Sequence, residues 1–129
     1  MRPTILIVDD NQEATELFKE LLDMQGYAVH TANTGQEALS RMAHTPASIF
    51  LVDLNLPDMQ GTALAPLLRD AARAQGIDRT VAIAVTGMSR TAADQMDMFD
   101  HVLTKPVDFD QFDRLLEDCS AVLQKGPSA

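Results

Sequence analysis

The chain has no tryptophan, a single tyrosine, a single cysteine and only ten basic residues among 129. Each scarcity excludes something. One cysteine, Cys119, forms no internal disulfide, so nothing argues for an oxidising compartment. Its helical spacing with Leu115, Leu116 and Leu123 reads as a small core residue rather than a reactive thiol. Few aromatics mean an aliphatic core. Ten basic residues against nineteen acidic ones leave a net charge of -9. The basic residues are scattered, whereas a nucleic-acid surface needs them clustered on phosphates. Direct DNA or RNA binding is therefore not expected, and a cation or a basic partner patch is easier to accommodate. Long apolar runs are missing too. Only Ile5-Leu6-Ile7-Val8 precedes Asp9, too little for a signal peptide, and no stretch approaches the ~20 apolar residues of a membrane span. A soluble cytoplasmic protein with no membrane partner is expected.

What is present is a repeating alternation. Hydrophobic residues make up 46% of the chain, enough for one packed core. Short apolar runs at Ile5–Val8, Tyr27–Ala32, Ile49–Val52, Val81–Val85 and Val102–Thr104 read as five strands. Between them lie amphipathic stretches. Ala14, Leu17, Phe18, Leu21 and Leu22 share a helical face that Gly26 ends. Thr34 opens a helix with Glu37 placed as in a capping box. Leu64, Leu67, Leu68 and Ala71 mark a helix after Gly61, with Pro66 expected near its first turn, where a missing N–H costs little. A short helix is predicted over Thr91–Met98, and a last one over Phe112, Leu115, Leu116, Cys119 and Leu123. Apolar strands covered by helices on both faces make a doubly wound α/β fold, a five-stranded parallel sheet in the flavodoxin-like order 2-1-3-4-5. Residues 1–124 are expected to form one domain and 125–129 a disordered tail.

The chemistry gathers where strands end. Asp9-Asp10 follow the first strand, Asp53 the third, Thr86 the fourth and Lys105 the fifth, and ligands in open α/β sheets bind outside those ends. Like charges packed together repel unless a cation neutralises them. Carboxylates with some carbonyl and water ligands suit Mg²⁺. Asp10 and Asp53 are the candidate direct ligands, Asp9 binds directly or through water, and the backbone carbonyl of Asn55 is a further candidate. Phosphoryl transfer needs an in-line acceptor oxygen with positive charge and donors around the equatorial oxygens. Asp53 has the chemistry of the nucleophile, Lys105 the charge and Thr86 a hydroxyl donor. In Lys105-Pro106 the proline restricts the backbone and can aim the lysine inward.

Over residues 4 to 124 the chain resembles response-regulator receiver domains. The resemblance rests on Ile5-Leu6-Ile7-Val8-Asp9-Asp10-Asn11, on Val52-Asp53-Leu54-Asn55-Leu56-Pro57-Asp58-Met59-Gln60-Gly61, on Val85-Thr86-Gly87 and on Lys105-Pro106, in that order. It implies Asp53 as phosphoacceptor, Asp9 and Asp10 as the acidic pair holding Mg²⁺, Thr86 as the switch hydroxyl and Lys105 as the phosphate contact. The implied donor is a sensor histidine kinase or a histidine phosphotransfer protein, and the implied output a downstream protein target. The protein would then be no separate enzyme, only the catalyst of its own aspartyl phosphorylation and dephosphorylation. The runs Ala84–Gly87 and Phe99–Asp108 look like receivers attached to hybrid histidine kinases.

Three departures stand out. Val102 occupies the switch position where the family often has an aromatic that swings with the Thr or Ser, and valine cannot make that rotation. The stretch from Thr86 to Lys105 is a few residues short, and that from Arg69 to Thr80 a few residues long. Nothing after the last helix reads as an output domain, which leaves a stand-alone receiver or a piece of a larger protein. A pseudo-receiver, keeping the fold as a protein-interaction module without phosphorylation, is the alternative reading. A phosphatase of the haloacid dehalogenase type would carry a second Asp two residues after the nucleophile, where Asn55 stands.

Overall fold

The computed structural model describes residues 3–54, 56–86, 99–104 and 108–124. Asn55, Lys105, Pro106, the helix predicted over Thr91–Met98 and the tail at 125–129 lie outside them. In chain order the elements are β1 (Thr4–Val8), α1 (Gln12–Met24), β2 (Ala28–Ala32), α2 (Gly35–His44), β3 (Ile49–Asp53), α3 (Gly61–Ala74), β4 (Val81–Thr86), β5 (His101–Thr104) and α4 (Phe109–Gln124). The strands form one sheet in the order β2-β1-β3-β4-β5. Every pairing is parallel. This is the flavodoxin-like doubly wound fold expected from the sequence.

Strand side chains alternate between two faces, and the sheet accordingly separates two cores. Leu6, Val8, Phe50, Val52, Ala82 and Ala84 face Ala38 and Met42 of α2 and Leu64, Ala65, Leu68 and Ala72 of α3. Ile5, Ile7, Ile49, Leu51, Ile83 and Val85 face Leu22 of α1 and Phe112, Leu116 and Cys119 of α4. Apart from half-buried Thr4, the three inner strands are buried throughout, as strands covered on both sides must be. Cys119 lies in the second core. Burial first, then the charges of Asp100 and Asp118, push its thiol up to about 11, which disfavours the nucleophilic thiolate at neutral pH. Phe18, Phe109 and Phe112 pack with centroids 5.4 to 6.1 Å apart and join α1 to the start of α4.

Helix ends follow their local chemistry. Beyond α1, Gly26 adopts φ 94°, donating to the Asp23 carbonyl, while the Tyr27 N–H reaches the Leu22 carbonyl. Gly76 repeats this after α3 with φ 86° and bonds to Arg73 and from Ile77 to Ala72. Both are Schellman closures, and the left-handed residue in each is glycine because a Cβ is penalised there. At α2, Thr34 Oγ1 accepts the Glu37 N–H at 3.0 Å, as the capping box requires, but the Glu37 carboxylate accepts from Asn33, one residue earlier than the standard box.

Some expectations need correction. Leu17 and Leu67, assigned to buried faces, are 56% and 44% exposed. The inward stripe of α3 runs through Leu64, Ala65, Leu68 and Ala72, so Leu67 falls past its edge. Pro66 is the sixth residue of α3 rather than a first-turn residue. Its missing N–H leaves the Thr62 carbonyl without its helical donor, and the helix nevertheless continues. Tyr27 belongs to the turn before β2, which starts at Ala28.

The longer stretch before β4 has a structural role. Arg69 donates to the Thr80 hydroxyl at 2.9 Å and to the Asp100 carboxylate at 2.8 Å. Asp100 in turn exchanges two 2.8 Å bonds with Ala82, one through its carboxylate and one through its N–H. One acidic residue thereby ties α3 and β4 to the start of β5. Since Phe112 is fully buried at the centre of the aromatic cluster, Phe112→Ala is expected to lower unfolding free energy by about 3–5 kcal/mol in urea titration.

Candidate functional site

Parallel strands bring all their carboxyl ends to one edge. There Asp9 follows β1, Asp53 ends β3 and Thr86 ends β4. Asp53 is paired in register with Val85 and Thr86 with Thr104. Lys105 comes next after Thr104 but lies outside the described residues, as does Asn55.

Each acid is placed by its backbone. Asp9 donates its N–H to the Ala32 carbonyl at 3.1 Å. Its own carbonyl accepts the Asn33 side-chain amide at 2.8 Å, and its Oδ1 accepts the Asn11 N–H at 2.9 Å. The N-cap of α1 is Asn11, whose side chain accepts from Ala14. Neither Asp9 nor Asp10 is therefore occupied as the helix cap. After Asp53, the Leu54 N–H donates to the Val85 carbonyl at 3.2 Å and the Leu54 carbonyl accepts from Gly61 at 2.8 Å. Gly61 is required by this close approach. A Cβ there would lie 2.7 Å from the Asp53 carbonyl oxygen and 2.9 Å from Leu54 Cα. Only glycine lets α3 begin directly against the end of β3.

The result is a carboxylate cluster. One oxygen each from Asp9, Asp10 and Asp53 lie within 4.8 Å of one another. Asp9 and Asp53 are buried, at 7% and 6% exposure, while Asp10 faces solvent. Two full charges at that spacing repel by on the order of 3 kcal/mol at an effective dielectric constant of about 20, and by less where solvent screens Asp10. A small hard cation fits the donor set. In octahedral Mg²⁺ coordination, oxygens at about 2.1 Å stand about 3 to 4.2 Å apart, so the three acids reach such an ion directly or with one water between. The exposed side at Asp10 leaves room for the remaining ligands. Thr86 is buried, at 3% exposure. Val102, two residues before Thr104 on β5, packs half-buried against the core on the α2 and α3 side.

Two contributors, Asn33 and Asp58, escaped the sequence reading, which already sets Met59 beside the site. Asn33 ties the β2–α2 junction to Asp9. Asp58 accepts the N–H groups of Gly35 at 2.8 Å and Gln36 at 2.9 Å, the first two of α2. Those two bonds hold its carboxyl below the usual carboxylate range. Met59 covers Gly35 so closely that a Cβ there would lie 2.6 Å from its Sδ. A polar residue in a Pro57-Asp58 turn looks like ordinary turn chemistry, and nothing in the sequence pairs it with a helix 23 residues away. The histidines stay apart from the cluster: His44 Nδ1 lies 3.0 Å from the Ser40 carbonyl, and burial, Arg41 and Lys19 lower the pKa of His30 on the edge strand β2.

Residues 5–117 match the family model described as the response regulator receiver domain. The chain is 33% identical over 88 residues to a transcriptional regulatory protein, the CpxR homolog of Haemophilus influenzae, covering 61% of this chain and 38% of the relative. It is 30% identical over 125 residues to the virulence sensor protein BvgS of Bordetella bronchiseptica, covering 91% of this chain and 10% of the relative. It thus spans well under half the length of either relative. Among solved structures, a CheY-like receiver domain from Methylobacillus flagellatus superposes with a TM-score of 0.74 at 33% identity, covering 92% of this chain and 98% of that one.

Two measurements probe this geometry. Gly61→Ala should destabilise the protein by about 1–3 kcal/mol in urea, because a clash with backbone outweighs the ~1 kcal/mol helix preference of alanine over glycine. Asp10→Asn should raise the melting temperature by several degrees in EDTA and lose that advantage in Mg²⁺; an unchanged melting temperature in EDTA would mean that the acids do not repel.

Proposed function

This chain belongs to the response-regulator receiver family, and we propose that it accepts a phosphoryl group on Asp53 from a phosphohistidine donor and relays that state to a protein target. The observation that carries the reading is the carboxylate cluster of Asp9, Asp10 and Asp53 on the sheet edge where Thr86 ends the neighbouring strand. The donor would be a sensor histidine kinase or a histidine phosphotransfer protein. The relatives include both a transcriptional regulatory protein and a sensor protein, which supports a kinase partner.

The residues divide the work by their chemistry. An Asp53 oxygen attacks phosphorus, forming the P–O bond as the P–N bond to the donor imidazole breaks, and the imidazole leaves with the electron pair. Strand pairing and the Leu54 bond to β4 hold Asp53 still, so little reorganisation is needed on attack. Asp9, Asp10, Asp53 and the Asn55 carbonyl would hold Mg²⁺, which when bound supplies positive charge for the phosphoryl oxygens. Lys105 would add the ammonium charge and Thr86 a hydroxyl donor. The protein is the acceptor of this reaction rather than an enzyme turning over an external substrate.

The output would follow from Thr86 turning toward the phosphoryl group and altering the surface above β4 and β5. Val102 takes part as packing, since its short branched side chain has no long swing to make. No helix among the described residues is long and apolar enough to cross a membrane. A cytoplasmic setting is part of the proposal, as is a receiver domain over residues 1–124 with the tail at 125–129 outside it.

The deciding experiment is intact mass after incubation with phosphoramidate or acetyl phosphate, in Mg²⁺ and in EDTA. Wild type should gain one phosphoryl group only with Mg²⁺, and Asp53→Asn should gain none. An equal adduct on Asp53→Asn would move the site elsewhere. A wild type that stays unmodified, with a histidine phosphodonor protein included, would leave the pseudo-receiver binding module.

A further inference from the structure

The loop after Asp53 and the loop carrying Asp9 belong to different β–α units, yet hydrogen bonds at the start of α2 join them through its backbone. Asp58, five residues beyond Asp53, accepts the Gly35 and Gln36 N–H groups. Met59 beside it closes over Gly35. Just before that helix start, the Asn33 side chain donates to the Asp9 carbonyl at 2.8 Å, and the Asn33 N–H is held by Glu37 at 3.1 Å. The path from Asp53 through its loop, Asp58, the first turn of α2 and Asn33 therefore returns to Asp9. It closes at the cluster, where Asp9 and Asp53 oxygens lie within 4.8 Å.

Local capping alone does not require this arrangement. Thr34 already supplies the side-chain cap of α2, on the Glu37 N–H. Asp58 adds an exposed carboxylate from a loop across the molecule and bonds the two N–H groups that Thr34 leaves. The α3 start near the same loop is made differently, since its N-cap Gln60 makes no side-chain cap bond. The outer part of the β3–α3 loop is thus tethered to α2 through Asp58.

We propose that Asp58, acting through Asn33, is a positioning residue that sets the spacing of Asp9 against Asp53 and thereby the divalent-cation affinity and phosphoryl acceptance of the site. The inference rests on the phosphoacceptor reading of that site. Neither residue belongs to the carboxylate cluster itself. β1 and β3 stay paired at Val8–Val52, so releasing the tether loosens only the chain just beyond the two strand ends, and a site geometry fixed in advance has in part to be assembled on binding.

The test compares wild type, Asp58→Ala, Asp58→Asn, Asn33→Ala and the Asp58→Ala/Asn33→Ala double variant. Mg²⁺ affinity is read by calorimetry and the initial rate of phosphorylation by phosphoramidate from intact mass. Each alanine variant should weaken Mg²⁺ binding by about tenfold, the low end for partners outside the ligand shell. The double variant should lose no more than the worse single one, because both break the same path. Asp58→Asn, which keeps one acceptor oxygen, should fall between and serves as the folded comparator should Asp58→Ala be poorly folded. Melting temperatures that drop while Mg²⁺ affinity and phosphorylation rate hold at wild-type values would overturn the proposal and leave Asp58 a helix cap. Fully additive losses would overturn the shared path. A wild type that neither binds Mg²⁺ nor takes a phosphoryl group would overturn the functional reading, and the proposal with it; a competent wild type with indifferent variants would overturn the proposal alone.

Discussion

Repulsion among Asp9, Asp10 and Asp53 is the constraint the rest of the molecule has to withstand. Three carboxylates with oxygens inside 4.8 Å would separate if they were carried on flexible chain. Here two of them are buried, and backbone bonds hold their place on the sheet edge. Asp9 is fastened to β2 and to Asn33, and the residue after Asp53 is fastened to β4. The apolar sheet beneath, packed on both faces, makes those backbone positions stiff. The core thus works against the site's electrostatics, and a cation bound there would relieve the strain between them.

The two faces of the sheet are packed with different side chains. On one face, small residues allow close approach: Gly61 against Asp53, Gly35 beneath Met59, and Ala82 and Ala84 on β4. On the other, larger side chains such as Ile5, Ile7, Ile83, Phe112 and Leu116 fill the space to α1 and α4. The Arg69–Asp100 pair, partly exposed and of modest energetic weight on its own, matters for registry, since Asp100 aligns β5 with β4 through Ala82.

Much of this was legible in the chain. Strands that are apolar throughout, each followed by a polar residue and an amphipathic stretch, carry the β–α alternation, the parallel sheet and the edge where Asp9, Asp10, Asp53 and Thr86 meet. Periodicity was less reliable at the margins of helical faces: Leu17 and Leu67 satisfy the spacing of a buried stripe and yet lie at its edge, because a helix buries an arc whose width depends on what it packs against. Pro66 was placed too early because the residue that opens α3 is set by the contact of Gly61 with Asp53, which no local rule reports.

The amino-acid sequence by itself determined the fold class and the identity of the acids, because hydrophobic periods and residue types at strand ends are properties of short segments. Only the tertiary structure decided how those acids are held. Asp58 on the first turn of α2, Asn33 on the Asp9 carbonyl and Arg69 on Asp100 join positions 23, 24 and 31 residues apart. Such contacts obey no period. They exist because the parallel crossovers bring separate loops to one edge, where each exposed backbone donor or acceptor takes whichever partner the fold has placed within reach.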